Sequence, residues 1–204
     1  MKLLLFSDVH LDREAAAALA AASREADVVV GAGDYASFRR NLSDCIQALA
    51  VIDTPTVLVC GNHESAAELT AACDSVWPAA TVLHGQQTTL AGITFFGLGG
   101  AVPVTPFGPW SVDLTEAEAR AELASMPAGC VLVTHAPPYD CLDALSGGER
   151  VGCQAVRAAI EHARPALAVC GHIHEHAGQR ATIGQTTVVN AGPHGVLLDL
   201  PATA

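Results

Sequence analysis

Five short apolar runs in this chain each lead within a few residues into histidine, aspartate or asparagine, and no other feature restricts the architecture as much. Leu3–Phe6 leads into Ser7-Asp8-Val9-His10, and Val28–Val30 into Gly31-Ala32-Gly33-Asp34. Val57–Val59 leads into Cys60-Gly61-Asn62-His63, and Val131–Val133 into Thr134-His135. Leu167–Val169 leads into Cys170-Gly171-His172-Ile173-His174. Runs that are apolar at every position, rather than at alternate ones, are the pattern of strands buried on both faces. In open parallel sheets the carboxyl ends of the strands line one edge, where ligands bind. The five runs thus bring Asp8, His10, Asp34, Asn62, His63, His135, His172 and His174 to one place. Five of the nine histidines are in that set.

Taken singly, each piece is ordinary. A lone histidine at a strand end is usually a hydrogen-bonded loop residue, and Gly-Asp is a common turn. Gly171-His172-Ile173-His174 is more specific, because alternate residues of an extended segment face one side. The conjunction after five strands is what points to a metal site. Its donors are imidazole nitrogen with carboxylate and amide oxygen, and no thiolate. That mixture suits first-row ions such as Mn²⁺, Fe or Zn²⁺ better than Ca²⁺. Two carboxylates, one amide and four or five imidazoles exceed what one ion takes and suffice for two that share a carboxylate. Two such ions clamp the attacking and leaving oxygens of a phosphoryl displacement.

The rest of the chain supplies the scaffold. Arg13–Glu25 is alanine-rich and reads as a helix. Leu42–Ile52 has helical spacing with Asn41 as its expected cap. Thr115-Glu-Ala-Glu118 is a capping box opening a helix to about Met126, and Gln154–Ala163 forms a helix stopped near Pro165. Thr81–Leu83, Gln87–Leu90, Ile93–Gly97, Gln179–Ile183, Thr186–Asn190 and Val196–Leu200 read as short strands, hairpins added to a parallel sheet. Gly97–Trp110 and Ala136–Gly152 read as loops flanking the site. No repeat or linker divides the chain, so one domain over 1–204 is expected.

Composition removes several functions. The formal charge is −11, which excludes the broad basic face of a duplex-DNA binder and argues against a nuclease. Lys2 is the only lysine, so a polybasic membrane anchor is missing. Aromatic residues make up 4%, too few for a base-stacking platform along single strands. The seven cysteines are odd in number and show no Cys-x-x-Cys pair, which predicts free thiols in a reducing compartment. The apolar start is shorter than the ~7–15 residues of a signal peptide. No run reaches the ~18 residues of a membrane span. A soluble cytoplasmic protein is the expectation.

The series Asp8-x-His10, Gly33-Asp34, Gly61-Asn62-His63-Glu64, His135 and Gly171-His172-x-His174 resembles the calcineurin-like metallophosphoesterase superfamily. The likeness runs from Asp8 to His174. It implies an α/β (α+β) fold, a four-layer αββα sandwich of two mixed β-sheets packed face to face with helices outside. It implies two divalent transition-metal ions, Mn²⁺ first, with Fe, Zn²⁺ or Ni²⁺ as alternatives. Asp8, His10, Asp34 and His174 would hold one ion. Asp34, Asn62, His135 and His172 would hold the other, with Asp34 bridging. His63 would bind no metal but face the substrate and orient a phosphoryl oxygen or protonate the leaving group. A metal-bridging hydroxide would be the nucleophile. The implied activity is hydrolysis of small or nucleotide-type phosphodiesters, with a phosphomonoesterase or nucleotidase as the alternative. A catalytically silent interaction scaffold on the same fold is disfavoured, since His63 and every metal position are retained.

Several residues have weaker readings. Glu64 and Asp140 are expected at the solvated surface, with support of metal-bound histidines as their alternative. Leu11 stands where many relatives have glycine and is expected to narrow the pocket edge. Arg39 and Arg150 are candidate phosphate contacts. Tyr139 and Trp110 are expected to pack structurally, with base stacking as the alternative. His84 and His162 read as surface or turn residues, and His176, Asn190 and His194 as neighbours of the site outside the metal set. An open groove without an added lid domain is expected.

Overall fold

The computed structural model describes residues 1–200, so the last four positions of the expected 1–204 domain lie outside the described residues. The described residues form eleven strands and five α-helices. They are β1 (Lys2–Phe6), α1 (Arg13–Ala22), β2 (Val28–Ala32), α2 (Leu42–Leu49), β3 (Thr56–Val59), α3 (Ala66–Asp74), β4 (Ala80–Val82), β5 (Gln86–Leu90), β6 (Ile93–Leu98), α4 (Glu116–Leu123), β7 (Val131–Thr134), α5 (Gln154–Ala163), β8 (Leu167–Cys170), β9 (Arg180–Ile183), β10 (Thr186–Asn190) and β11 (Val196–Asp199).

Two sheets form, with strand orders β11-β1-β2-β3-β4 and β5-β6-β7-β8-β10-β9. In the first, β1 to β4 are parallel and β11 closes an edge antiparallel to β1. In the second, β6, β7, β8 and β10 are parallel, with β5 and β9 as antiparallel edges. Strand alternation explains the layers. Leu3, Leu5, Val28, Val30, Val57 and Val59 point from the first sheet to meet Phe95, Val131, Val133, Leu167 and Val169 of the second. Leu4, Phe6, Val29 and Leu58 point the other way, onto residues of α1, α2 and α3. Phe96, Leu132 and Ala168 face α4 and α5. The result is the four-layer αββα sandwich. Truncating one of these buried leucines to alanine costs ~2–5 kcal/mol.

The five apolar runs are therefore divided between two sheets rather than gathered in one. β1, β2 and β3 belong to the first and β7 and β8 to the second, and their carboxyl ends come together at one end of the sandwich. Among the described residues only β5–β6 and β9–β10 are hairpins; β4 joins β3 in parallel, and β11 returns from the far end of the chain.

Local differences have local causes. Asn41 precedes α2 in the left-handed conformation, and its side chain makes no capping bond. A capping oxygen reaches the helix N–H groups from an extended residue, as Ser65 and Thr115 do here. Both form full capping boxes, with Glu68 and Glu118. The box at Ser65 opens α3, a helix absent from the sequence reading although its signal was present. Helix α2 stops at Leu49 and α4 at Leu123, three residues short of the expected ends. All seven cysteines are buried and free. Among the described residues no helix is long and apolar enough to cross a membrane.

Candidate metal centre

The loops after β1, β2 and β3 deliver Asp8, His10, Asp34, Asn62 and His63, and those after β7 and β8 deliver His135, His172 and His174. They meet around Asp34. Its Oδ1 lies 3.4 Å from His135 Nε2, while its Oδ2 lies 3.6 Å from His10 Nε2 and 3.7 Å from His63 Nε2. His174 Nε2 is 3.6 Å from an Asp8 oxygen. On the other side His135 Nε2 is 3.2 Å from both Asn62 Oδ1 and His172 Nδ1. Asp8, His10 and His174 thus form one group of donors, and Asp34, His135 and His172 another.

The backbone is bent to achieve this. Asp8, His10, Asp34 and His172 all have left-handed φ values, between 44° and 67°. Each costs of order 1–2 kcal/mol for a residue with a Cβ, and such strain persists where the surroundings enforce it. Glycines beside the donors let the loops touch. A Cβ on Gly61 would collide with the Asp34 carboxylate, and one on Gly171 would sit 2.6 Å from Asp8 Oδ2.

Several neighbours hold the donors. The Glu64 carboxylate is 1% exposed, not at the surface as expected. It accepts the backbone N–H groups of Asp34, Tyr35, Ala36 and Gly61 at 2.7–3.1 Å, pinning the β2 and β3 loops together. Burial and then the Asp34 charge push its pKa up to about 7, against the four donors that favour the ionised form. Ser7 donates to Asp8, which also accepts the His172 N–H. Buried Asn190 donates to the carbonyls of Gly171 and Ile173, fixing the loop that carries His172 and His174. Asn62 Nδ2 donates to Ser111 Oγ at 3.1 Å, and Ser111 donates to Asp113 at 2.6 Å. That relay turns the Asn62 amide so that its oxygen faces His135. Ser111 and Asp113 carry no sequence signal, because they lie inside a Gly/Pro-rich loop far along the chain.

Hydrogen bonds also assign the histidine tautomers. His10 Nδ1 faces the Ala36 carbonyl and His135 Nδ1 the Ala32 carbonyl, each at 2.8 Å. A carbonyl only accepts, so these Nδ1 atoms carry the proton and leave a lone pair on Nε2 of the neutral ring. His63 is the opposite: its Nδ1 accepts the Phe38 N–H at 2.8 Å, so the neutral ring carries its proton on Nε2. His10 and His135 thus share one ring orientation and His63 has the opposite one, although all three surround Asp34.

Charge follows the same division. Burial opposes ionisation of Asp34, yet His135 and then His63 hold its pKa below the usual carboxylate range. Asp8 is also lowered, burial being offset by His174 and His135. Burial alone would lower His135, but Asp34 raises it to about 9. Burial and then the His135 charge lower His172 to about 4. Burial also lowers His63, ahead of a raising contribution from Asp34.

A cleft of about 960 Å³ opens over the centre. One wall is Phe38 with Val102 to Phe107, and the other includes Leu145, Glu149, Arg150 and Glu175. Both expected flanking loops contribute. Arg150 is held by Asp143 at 2.7 Å and Asp140 at 3.1 Å, so Asp140 supports an arginine rather than a histidine. Arg39 pairs with Glu68 at 2.7 Å instead of lining the cleft. Leu11 packs against the helix-side core and does not narrow the pocket. Trp110 packs on His63, Phe38 and Phe107, and Tyr139 is partly exposed away from the cleft lining. His176 bonds the Ala144 carbonyl, tying the 136–152 loop down, whereas His162 and His194 are exposed and His84 accepts a turn N–H.

The chain is 36% identical over 111 residues to the UPF0046 protein K07C11.7 of Caenorhabditis elegans, covering 54% of this chain and 37% of that one. It is 33% identical over 128 residues to UPF0046 protein T07D4.2 of the same organism, covering 59% and 30%. The matched part is thus about a third of the length of these relatives. Among solved structures, TT1561 of Thermus thermophilus has the same fold, with a TM-score of 0.76 at 20% identity over 98% of this chain and 94% of that one. A dimetal phosphatase from Danio rerio has a TM-score of 0.61 at 13% identity over 93% and 86%. A family model described as the calcineurin-like phosphoesterase superfamily domain matches residues 1–201, and the chain belongs to that superfamily.

Proposed function

We propose that this chain is a dinuclear-metal-dependent hydrolase of phosphate esters that prefers small diesters. The observation that carries this reading is the opposed wiring of the histidines around Asp34. His10 and His135 are each anchored through Nδ1 on a carbonyl and turn Nε2 toward the carboxylate, whereas His63 is anchored through an Nδ1 that accepts a backbone N–H. Asp8, His10, Asp34 and His174 would hold one ion, and Asp34, Asn62, His135 and His172 the other. Their mixed nitrogen and oxygen donors fit first-row divalent ions, Mn²⁺ among them. Bound ions of this kind lower the pKa of water and neutralise charge developing on a phosphoryl group.

The chain's own residues supply the rest. Asp34 presents one oxygen to each donor group. His63 presents Nε2–H to a phosphoryl or leaving oxygen, and the Phe38 N–H on its other nitrogen fixes the ring. The preference for diesters rests on the cleft walls. Among the described residues Arg150 is the only arginine or lysine lining the cleft, and it is already paired with two aspartates. Among the described residues the cleft walls therefore add no unpaired arginine or lysine to the charge of the ions for a monoester dianion.

The test is hydrolysis of an aryl phosphodiester beside the matching monoester, with Mn²⁺ and after chelation. Mn²⁺-dependent cleavage favouring the diester is the expected result. Preference for the monoester would replace the reading with a phosphatase. Turnover that survives thorough chelation would sink it.

A further inference from the structure

We propose that Phe38, Phe107 and Trp110 form a shelf that binds a flat aromatic group of a phosphate ester beside His63. The inference rests on the phosphoesterase reading above and names the substrate class: one phosphoryl group joined to an aromatic body.

Among the described residues seven large apolar side chains are well exposed, and Phe38 (61%), Val104 (59%) and Phe107 (50%) all line this one cleft. Aromatic residues are scarce in the chain, five Phe, two Trp and two Tyr, yet Phe38 and Phe107 line this cleft and Trp110 packs against both. Phe107 and Trp110 lie almost parallel, with centroids 5.6 Å apart and planes 11° apart. Phe38 meets Trp110 edge-on at 4.8 Å. Both Phe38 and Trp110 touch the His63 ring, at 5.2 and 4.7 Å. An aromatic group seated on this shelf therefore begins one ring away from the N–H that faces the reacting centre. Exposed apolar surface gathered in one place marks a binding site.

The backbone gives a second, independent sign. Ser37 and Arg40 exchange hydrogen bonds across a two-residue turn whose central residues, Phe38 and Arg39, have φ values of 50° and 62°. Such turns favour Asn-Gly, and bulky side chains are strained in them. Here the strained turn gives its Phe38 N–H to His63 Nδ1 and its Arg39 N–H to the His63 carbonyl. One residue thereby sets the His63 tautomer and offers its ring to the cleft. The opposite wall decides what the rest of the substrate lacks. Glu149 and Glu175 line it, and its arginine is already paired, so a polyphosphate or a nucleic-acid backbone meets carboxylates without a free cation.

Phenylphosphonate and methylphosphonate test the shelf as inhibitors of aryl-diester hydrolysis by the Mn²⁺-loaded protein, because neither has a leaving group to confound the result. Phenylphosphonate should bind about tenfold more tightly, a stacking-sized effect. In Phe107→Ala the ratio should fall to about two, and in Phe107→Tyr it should recover, which a folding defect would not do. Phenylphosphonate should also change Trp fluorescence in the wild type and not in Trp110→Phe, since Trp77 is buried in the core. Equal inhibition by the two phosphonates with hydrolysis intact overturns the shelf and spares the phosphoesterase reading. No hydrolysis and no binding of either overturns both. A wild-type dimer that Phe107→Ala converts to monomer in sedimentation assigns the strip to a protein interface and overturns the shelf.

Discussion

On the floor of the cleft Asp34 and His135 are buried, and the groups around them are closely partnered: His135 Nδ1 faces a carbonyl, Glu64 four N–H groups and Asn62 a serine. On the rim Phe38, Val104 and Phe107 stand half exposed or more, and the charged groups pair in water. One cleft thus divides its work between a fixed floor and a variable rim. Gathering donors in a buried site is costly, since each unpaired group there loses ~1–3 kcal/mol. The floor is therefore over-determined, and small changes in it should have large effects. The rim is free to vary with the substrate's organic part, and changes in it should be smaller and substrate-dependent.

The floor is tested most severely at Asp34. Asp34→Asn should lower kcat/KM by about 10³-fold or more, ~4 kcal/mol, and weaken binding of both ions in a folded protein. Retention of both ions and of wild-type turnover would show that the shared carboxylate is misassigned. His63→Ala should lower activity by about 10²–10⁴-fold, while metal analysis still finds two ions per chain. Loss of an ion would move His63 into the ligand set. Ser111→Ala frees the Asn62 amide to rotate and should weaken the ion held beside His135 by about 10–100-fold, as lost support of a ligand does. An unchanged metal titration would remove Ser111 and Asp113 from the floor.

Protons sharpen the same contrast. Without metal His135 has its pKa raised to about 9, so below that pH it must lose a proton to act as a ligand. Metal affinity should rise about tenfold per pH unit between pH 7 and 9 and level off above, with close to one proton released per chain at pH 7.5. Calorimetry in buffers of different ionisation enthalpy would read that proton, and a flat profile would contradict it. The smallest effect belongs to the rim. Arg39→Ala removes an exposed pair with Glu68 and should shift stability by ~0.5 kcal/mol with turnover intact. A large loss of turnover would place Arg39 at the substrate.

How far each part was legible in the sequence follows the same line. That Asp8, His10, Asp34, Asn62, His63, His135, His172 and His174 come together was readable because each follows an apolar run that reads as a buried strand. α3 was readable from Ser65-x-x-Glu68 and went unread. Glu64 was misjudged because charged residues are seldom buried, and four N–H groups converging on one carboxylate cannot be seen along a chain. The aromatic shelf was hidden by an average: a 4% aromatic content says nothing about three rings meeting at one place. Arg150 looked available for a phosphate because Asp140 and Asp143 claim it only when their loop closes on itself.

By itself, then, the sequence determined the strands, the donors at their ends and the family they belong to, since local periodicity and side-chain chemistry are properties of neighbours along the chain. The tertiary structure alone decided that the five strands divide between two sheets. It alone decided which histidine faces a carbonyl and which an amide, and which aromatic rings share a wall. Those depend on groups separated by 25 to more than 100 residues, as His63 is from Phe38 and His135 from Ala32. Only the packing of one sheet on the other brings them within hydrogen-bond reach.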